Sequence, residues 1–269
     1  MSTFANHAAK LANLRASLVE TGAGETPART LLGHRAADAC LKGGLLCGTL
    51  HEVFAAAVGD ETAASGFAAA LAARLAAGKT LLWIRQDFAG LEFGELAATG
   101  ILEFGLDPSR FLLLRIADVS SALRATGDAL SCAALGAVVI EIPGMPKPLD
   151  LVTSRRLVLA AAQKGVTAFL LRFRAEPDAS AAETRWLIRA ARSTNKEEWG
   201  FPVFAATLAR NRHGVTGHWV MEWNCDERSF REPRTGEYAP HPGAVVSVSA
   251  DGSAATAGEM PRRFRETVA

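Results

Sequence analysis

Between residues 3 and 20 the apolar positions Phe4, Ala8, Leu11, Leu14 and Leu18 recur three or four residues apart, with Lys10, Asn13, Arg15 and Glu20 elsewhere on the surface. That spacing predicts an amphipathic helix. Residues 21–30 hold Gly22, Gly24 and Pro27 and read as a linker, so the helix either packs on its own domain or is offered to another protein. From residue 49 apolar runs and helical stretches alternate at short intervals. Strands are predicted over 49–54, 80–84, 111–116, 137–142 and 166–173, and helices over 67–77, 119–135 and 151–164. Asp118 and Asp150 stand where N-caps are needed, and Gly165 stands where a helix stops.

Strands that stay apolar without alternating, separated by helices, belong to a parallel sheet covered on both faces. The first two-thirds of the chain is therefore α/β. After Pro177 come three extended segments, 184–193, 201–209 and 216–224, with the polar turn Arg210-Asn211-Arg212-His213-Gly214 between the last two. They predict an antiparallel extension of the same sheet. Past Pro233, three further prolines and scattered small residues read as a flexible tail, with a short packed strand over 244–248 as the alternative. The expected organisation is a helix and linker over 1–30, one domain over 31–232 and a tail over 233–269.

A formal net charge of +1 gives no overall field to draw nucleic acid or a membrane surface, so any such contact must be a local patch. Cys40, Cys47, Cys132 and Cys225 form no C-x-x-C pair, and are expected to be buried thiols in a reducing compartment, with no metal site. The first residues lack a basic stretch followed by an apolar core, and no run approaches bilayer length. A cytoplasmic protein without a membrane partner is expected.

In nucleotide-binding proteins of this element order, the loop after the first strand carries G-x-x-x-x-G-K-[ST], whose backbone N–H groups and lysine surround the phosphates. Here the loop runs from Ala55 to Ser65 and meets the predicted helix as Gly66-Phe67-Ala68. Neither the lysine nor the magnesium-binding hydroxyl is there, although Gly59 and Gly66 could still form an anion-binding turn. Gly78-Lys79-Thr80 has the right letters but ends a helix and opens a strand, the reverse of what an anion at a helix N-terminus needs. Glu141 closes the apolar run Val138-Val139-Ile140, where an acid would hold the water around magnesium. With no lysine or threonine opposite, it reads more simply as a strand-end acid.

Gly43-Gly44-Leu45 with Gly48, Leu50-His51-Glu52-Val53-Phe54, Gly105-Leu106-Asp107-Pro108 and Gly136-Ala137-Val138-Val139-Ile140-Glu141 appear in this order, followed by Thr184-Arg185-Trp186, the turn 210–214, Gly217-His218-Trp219 and Glu222-Trp223. As an ordered set spanning about residues 30–231, they resemble the ImuA group of RecA-like proteins, distantly related to the SulA-like inhibitors of cell division. The resemblance implies a RecA-like three-layer α/β/α fold whose mostly parallel sheet is extended by C-terminal antiparallel strands. It also implies a component of the SOS-induced mutagenesis cassette that acts beside an ImuB-like inactive homologue of Y-family polymerases and an error-prone C-family DNA polymerase. RecA hydrolyses ATP and polymerises on DNA. Phe67 in place of lysine puts both activities in doubt, so a non-catalytic accessory role with no cofactor is expected.

Arg210, Asn211, Arg212, His213 and His218 form a basic cluster suited to a phosphate backbone or an acidic partner segment, with a solvated hairpin tip as the plain alternative. Trp186, Trp219 and Trp223 read as sheet core before they read as base-stacking platforms. Phe4, Leu11, Leu14 and Leu18 mark the helix that would meet a second copy of the chain or the ImuB-like partner, and RecA is a further expected partner of the protein. His51-Glu52 and Arg85-Gln86-Asp87 lie at strand ends where ligands sit in open α/β sheets, but no nucleophile, base and orienting group can be assembled from them. A weak nucleotide hydrolase, a nucleotide-binding regulator and a SulA-like division inhibitor are the alternatives.

Overall fold

The computed structural model describes residues 28–193 and 200–233. The proposed partner helix with Phe4, Leu11, Leu14 and Leu18, and the tail from 234 on, lie outside the described residues.

The chain enters through a two-residue strand β1 (Arg29–Thr30), paired antiparallel with β2 (Leu45–Leu46) around the short helix α1 (Arg35–Cys40). Part of the expected linker is thus tied down. An alternating series follows: β3 (Leu50–Ala55), α2 (Glu61–Ala76), β4 (Thr80–Gln86), α3 (Ala89–Phe93), α4 (Ala98–Glu103), β5 (Phe111–Ile116), α5 (Val119–Leu130), β6 (Leu135–Glu141), α6 (Leu151–Lys164) and β7 (Thr167–Arg172). The last third gives β8 (Thr184–Ala191), β9 (Val203–Asn211), β10 (Gly217–Asn224) and β11 (Ser229–Arg231).

Nine strands form one sheet in the order β11-β10-β9-β8-β3-β7-β6-β4-β5. From β8 through β5 neighbours run parallel, and β9, β10 and β11 extend the sheet antiparallel. This is the expected α/β fold. Parallel strands are buried on both faces because crossover helices cover them, and β6 and β7 are buried at every position.

On one face α2 packs in a core with Phe67, Trp83, Phe169, Trp186, Trp223 and Phe230; on the other, Leu130 of α5 and Leu157 of α6 meet Leu50, Ile84, Val138 and Ile140. The tryptophans at 186 and 223 are core, as their alternation suggested, and Trp219 is half-buried against Trp186. Asp118 caps α5 through Ser121 N–H, Asp150 caps α6 through Thr153 N–H, and Gly165 ends α6 in the left-handed region. Gly136 has a packing reason: a Cβ there would lie 2.3 Å from the carbonyl oxygen of Ala76, where β6 passes the end of α2.

Two expectations need correction. Helix α5 ends at Leu130, not 135, because residues 131–134 turn the chain so that β6 begins at Leu135. The cysteines are not fully buried: Cys132 is exposed and Cys40, Cys47 and Cys225 are half-buried, all as free thiols.

Candidate functional site

The carboxyl edge of the parallel strands, where ligands of open α/β sheets bind, is the place to look for a nucleotide. The loop from β3 to α2 is only residues 56–60, because α2 starts at Glu61. Gly66, Phe67 and Ala68 are therefore not loop residues at all. They lie in the second and third turns of α2, with Phe67 fully buried against the rings of Trp186, Phe204 and Phe230. The alanine-rich stretch from Thr62 onward is helical from its first turn, since alanine has the highest helix propensity.

The residues that do occupy the phosphate-loop position are Gly59, Asp60 and Glu61. Gly59 has φ of +97° and donates its N–H to Glu61 Oε2 at 2.7 Å. A backbone donor that would face a phosphate thus holds the chain's own carboxylate. Asp60, 7% exposed, accepts from Ala190 N–H at 3.0 Å and pins the loop to β8. Arg174 also comes within 4.0 Å of Glu61 but is held by Glu92 at 2.8 Å, so the cation at the loop is already paired, and two carboxylates there oppose a triphosphate.

Glu141 is equally occupied. Its Oε1 accepts from the Arg85 guanidinium at 3.0 Å and its Oε2 from Trp83 Nε1–H at 3.2 Å, and both ionic partners are nearly inaccessible. Burial pushes the Glu141 carboxyl up, against the pull of Arg85 and the indole N–H. A guanidinium therefore stands where a magnesium ion would need that acid. A second buried pair, Arg185 to Glu52 at 2.7 Å, lies across the β3–β8 ladder, where the register sets the two residues side by side. Arg172 turns back to the carbonyls of Ile142 and Gly144. The cavity at this edge, about 230 Å³, opens on the α6 side between Glu52, Lys147, Asp150, Arg172 and Asp178, with both charge signs on its wall.

His51 is not placed for acid–base work. It is fully buried, its Nε2–H donates to the Leu46 carbonyl, and its Nδ1 accepts from the Thr184 hydroxyl, both at 2.8 Å. Trp186 Nε1–H completes the set by donating to Thr184. Burial lowers the imidazole to about 4. A free histidine titrates near 6.5, so the unfolded chain takes up this proton first and stability falls as pH drops between those values, by roughly 3 kcal/mol in all. Denaturant midpoints measured from pH 7 to pH 4 should show that decline, and His51→Gln should flatten its part of it.

The basic cluster is only partly a cluster. Arg210 and Asn211 end β9 instead of forming the turn, since the antiparallel ladder runs on to the pair Thr184 and Asn211. Arg210 donates to Ser180 O, Asn211 to Cys40 O and Val215 O, His213 meets Glu183 at 2.6 Å, and His218 meets its cross-strand neighbour Thr207 at 2.8 Å. Arg212 is exposed. Lys79 donates to Ala133 O at the opposite edge of the sheet from any phosphate loop. No group of three or more histidine, cysteine or acidic residues among the described residues could hold a metal, and none of the described helices is long and apolar enough to cross a membrane.

No family model matches the chain. Protein ImuA of Caulobacter vibrioides is 30% identical over 260 residues, covering 89% of this chain and 97% of that protein, and the same figures hold for two strains of that organism. The chain belongs to the ImuA family. It is thereby a RecA-like, mutagenesis-associated protein. The crystal structure of the RadB recombinase superposes with a TM-score of 0.50 at 16% identity, covering 76% of this chain and 99% of RadB. That likeness establishes the RecA-like fold for this ImuA-family chain.

Proposed function

We propose that this ImuA-family protein is a non-catalytic accessory component of the SOS-induced translesion synthesis complex, working through protein contacts and a weak, local contact to DNA. The observation that carries the reading is the occupied phosphate loop: Glu61 fills the Gly59 donor, and Arg85 fills Glu141. A P-loop enzyme keeps those groups open for phosphate and magnesium. A fold without its chemistry retains surfaces, and function follows the surface.

The partners that fit are an ImuB-like inactive polymerase homologue and an error-prone C-family polymerase, with exposed Arg212 as a cation of the β9–β10 turn open to nucleic acid. Tagged full-length protein co-expressed with both polymerase-type subunits should retain them through size exclusion at physiological salt. Retention of neither, with filamentation of cells on overexpression, would favour a division inhibitor instead.

A further inference from the structure

The cavity of about 230 Å³ on the α6 side is lined by two buried charges that the fold satisfies only in part. Arg172, at the end of β7, is 5% exposed, and Glu52, on the neighbouring strand β3, is 2% exposed. Arg172 donates from Nε to the Ile142 carbonyl and from Nη2 to the Gly144 carbonyl and Met145 Sδ, whereas its Nη1 has no partner among the described residues. Glu52 accepts from Arg185 on Oε2 and leaves Oε1 without a donor. Burial is the largest influence on the guanidinium and lowers its pKa, against the pull of Glu52. Neither open atom is sealed in the core, because among the described residues only Arg85 Nε is both sealed and unpartnered. Both residues line the cavity, so Nη1 and Oε1 face it. A buried charged atom without a protein partner holds water or a ligand.

Opposite charges facing one small space select a molecule that carries both signs close together. We propose that this cavity binds a free α-amino acid with an apolar side chain, its carboxylate on Arg172 Nη1, its ammonium on Glu52 Oε1 and its side chain against Met145, Leu149 and Leu170. Guanidinium and carboxylate form the strong, charge-assisted kind of hydrogen bond. The remaining hydroxyls of the wall are engaged: Ser154 bridges the Leu151 carbonyl and Ala181 N–H, and Ser180 accepts from Ala182 N–H. Asp150 is occupied as the cap of α6, so the helix end is not what draws the ligand. Size agrees, since pockets for drug-sized ligands begin at about 300 Å³. A chain of phosphates fits poorly, because Glu52, Asp150 and Asp178 all stand on the wall and repel it.

Saturation-transfer NMR on the full chain tests this with leucine as the probe and with acetate and methylammonium as its two halves. Leucine should saturate the wild type with a Kd on the order of 1 mM, and each half should bind roughly tenfold more weakly or worse. Two variants should each weaken leucine by roughly tenfold or more. Arg172→Gln removes the guanidinium, and Ala179→Phe plugs the cavity at an exposed wall position. Arg172 also holds two carbonyls, so Ala179→Phe decides the matter if Arg172→Gln does not fold. Leucine that fails to saturate below about 50 mM, acetate that binds as tightly as leucine, or an Ala179→Phe protein that binds leucine like the wild type overturns the inference; the cavity then holds water or a simple anion.

Discussion

Arg85→Met should destabilise the protein by about 3–5 kcal/mol near neutral pH, the range found when one partner of a buried ion pair is removed. Arg85 is 2% exposed and donates to Glu141 Oε1 and to the Gly94 carbonyl. Without it, Glu141 keeps only the Trp83 indole as a donor, and burial already raises its pKa. The variant should therefore recover stability as pH falls, because the folded state takes up a proton more readily than the unfolded one. Arg85→Met/Glu141→Gln should lose far less, since a neutral amide can still accept from the indole and no unpaired charge remains buried. Urea midpoints at two pH values for the single and double variants measure all three effects. An Arg85→Met protein as stable as the wild type would mean that the pair does not close the site.

Phe67→Lys should abolish cooperative folding instead of restoring a phosphate loop. On sequence alone this change recreates the Gly-Lys of a nucleotide-binding loop. In the structure it puts an ammonium into the core beside Trp186, Phe204 and Phe230. Truncation to alanine removes the packing alone and should cost about 3–5 kcal/mol. The lysine adds the burial of an unpaired charge, which together exceeds the lower end of ordinary domain stability, about 5 kcal/mol. Thermal unfolding followed by circular dichroism distinguishes the outcomes. A folded Phe67→Lys protein with new ATP affinity would place residue 67 at the loop after all.

The contrast between these two residues shows what could be read from the chain. Asp118, Asp150 and Gly165 were legible because capping is local chemistry within three or four residues, and β6 and β7 were legible as short apolar runs. The start of α2 was not, because alanine occurs on every side of residues 62–77, which leaves the helical period without contrast. Strand β4 runs past Ile84 through Arg85 and Gln86, both buried, and the Arg85 guanidinium is met there by Glu141 and the Gly94 carbonyl.

The ion pairs themselves are products of register. Glu52 meets Arg185 across 133 residues of sequence, and Arg85 meets Glu141 across 56. No local pattern announces either. The resemblance to the ImuA group carried the fold correctly, but the motif spacing put the missing lysine at Phe67, whereas Asp60 and Glu61 stand at that position. The turn 210–214 suffered from a similar limit: the ladder claimed Arg210 and Asn211 for β9.

Equilibrium binding of labelled ATP with magnesium to the full-length protein, run beside a phosphate-release assay, tests the central claim most directly. The occupied loop predicts no saturable binding at millimolar nucleotide and no release above background, for the wild type and for Glu141→Gln alike. Saturable binding with turnover that Glu141→Gln abolishes would contradict it.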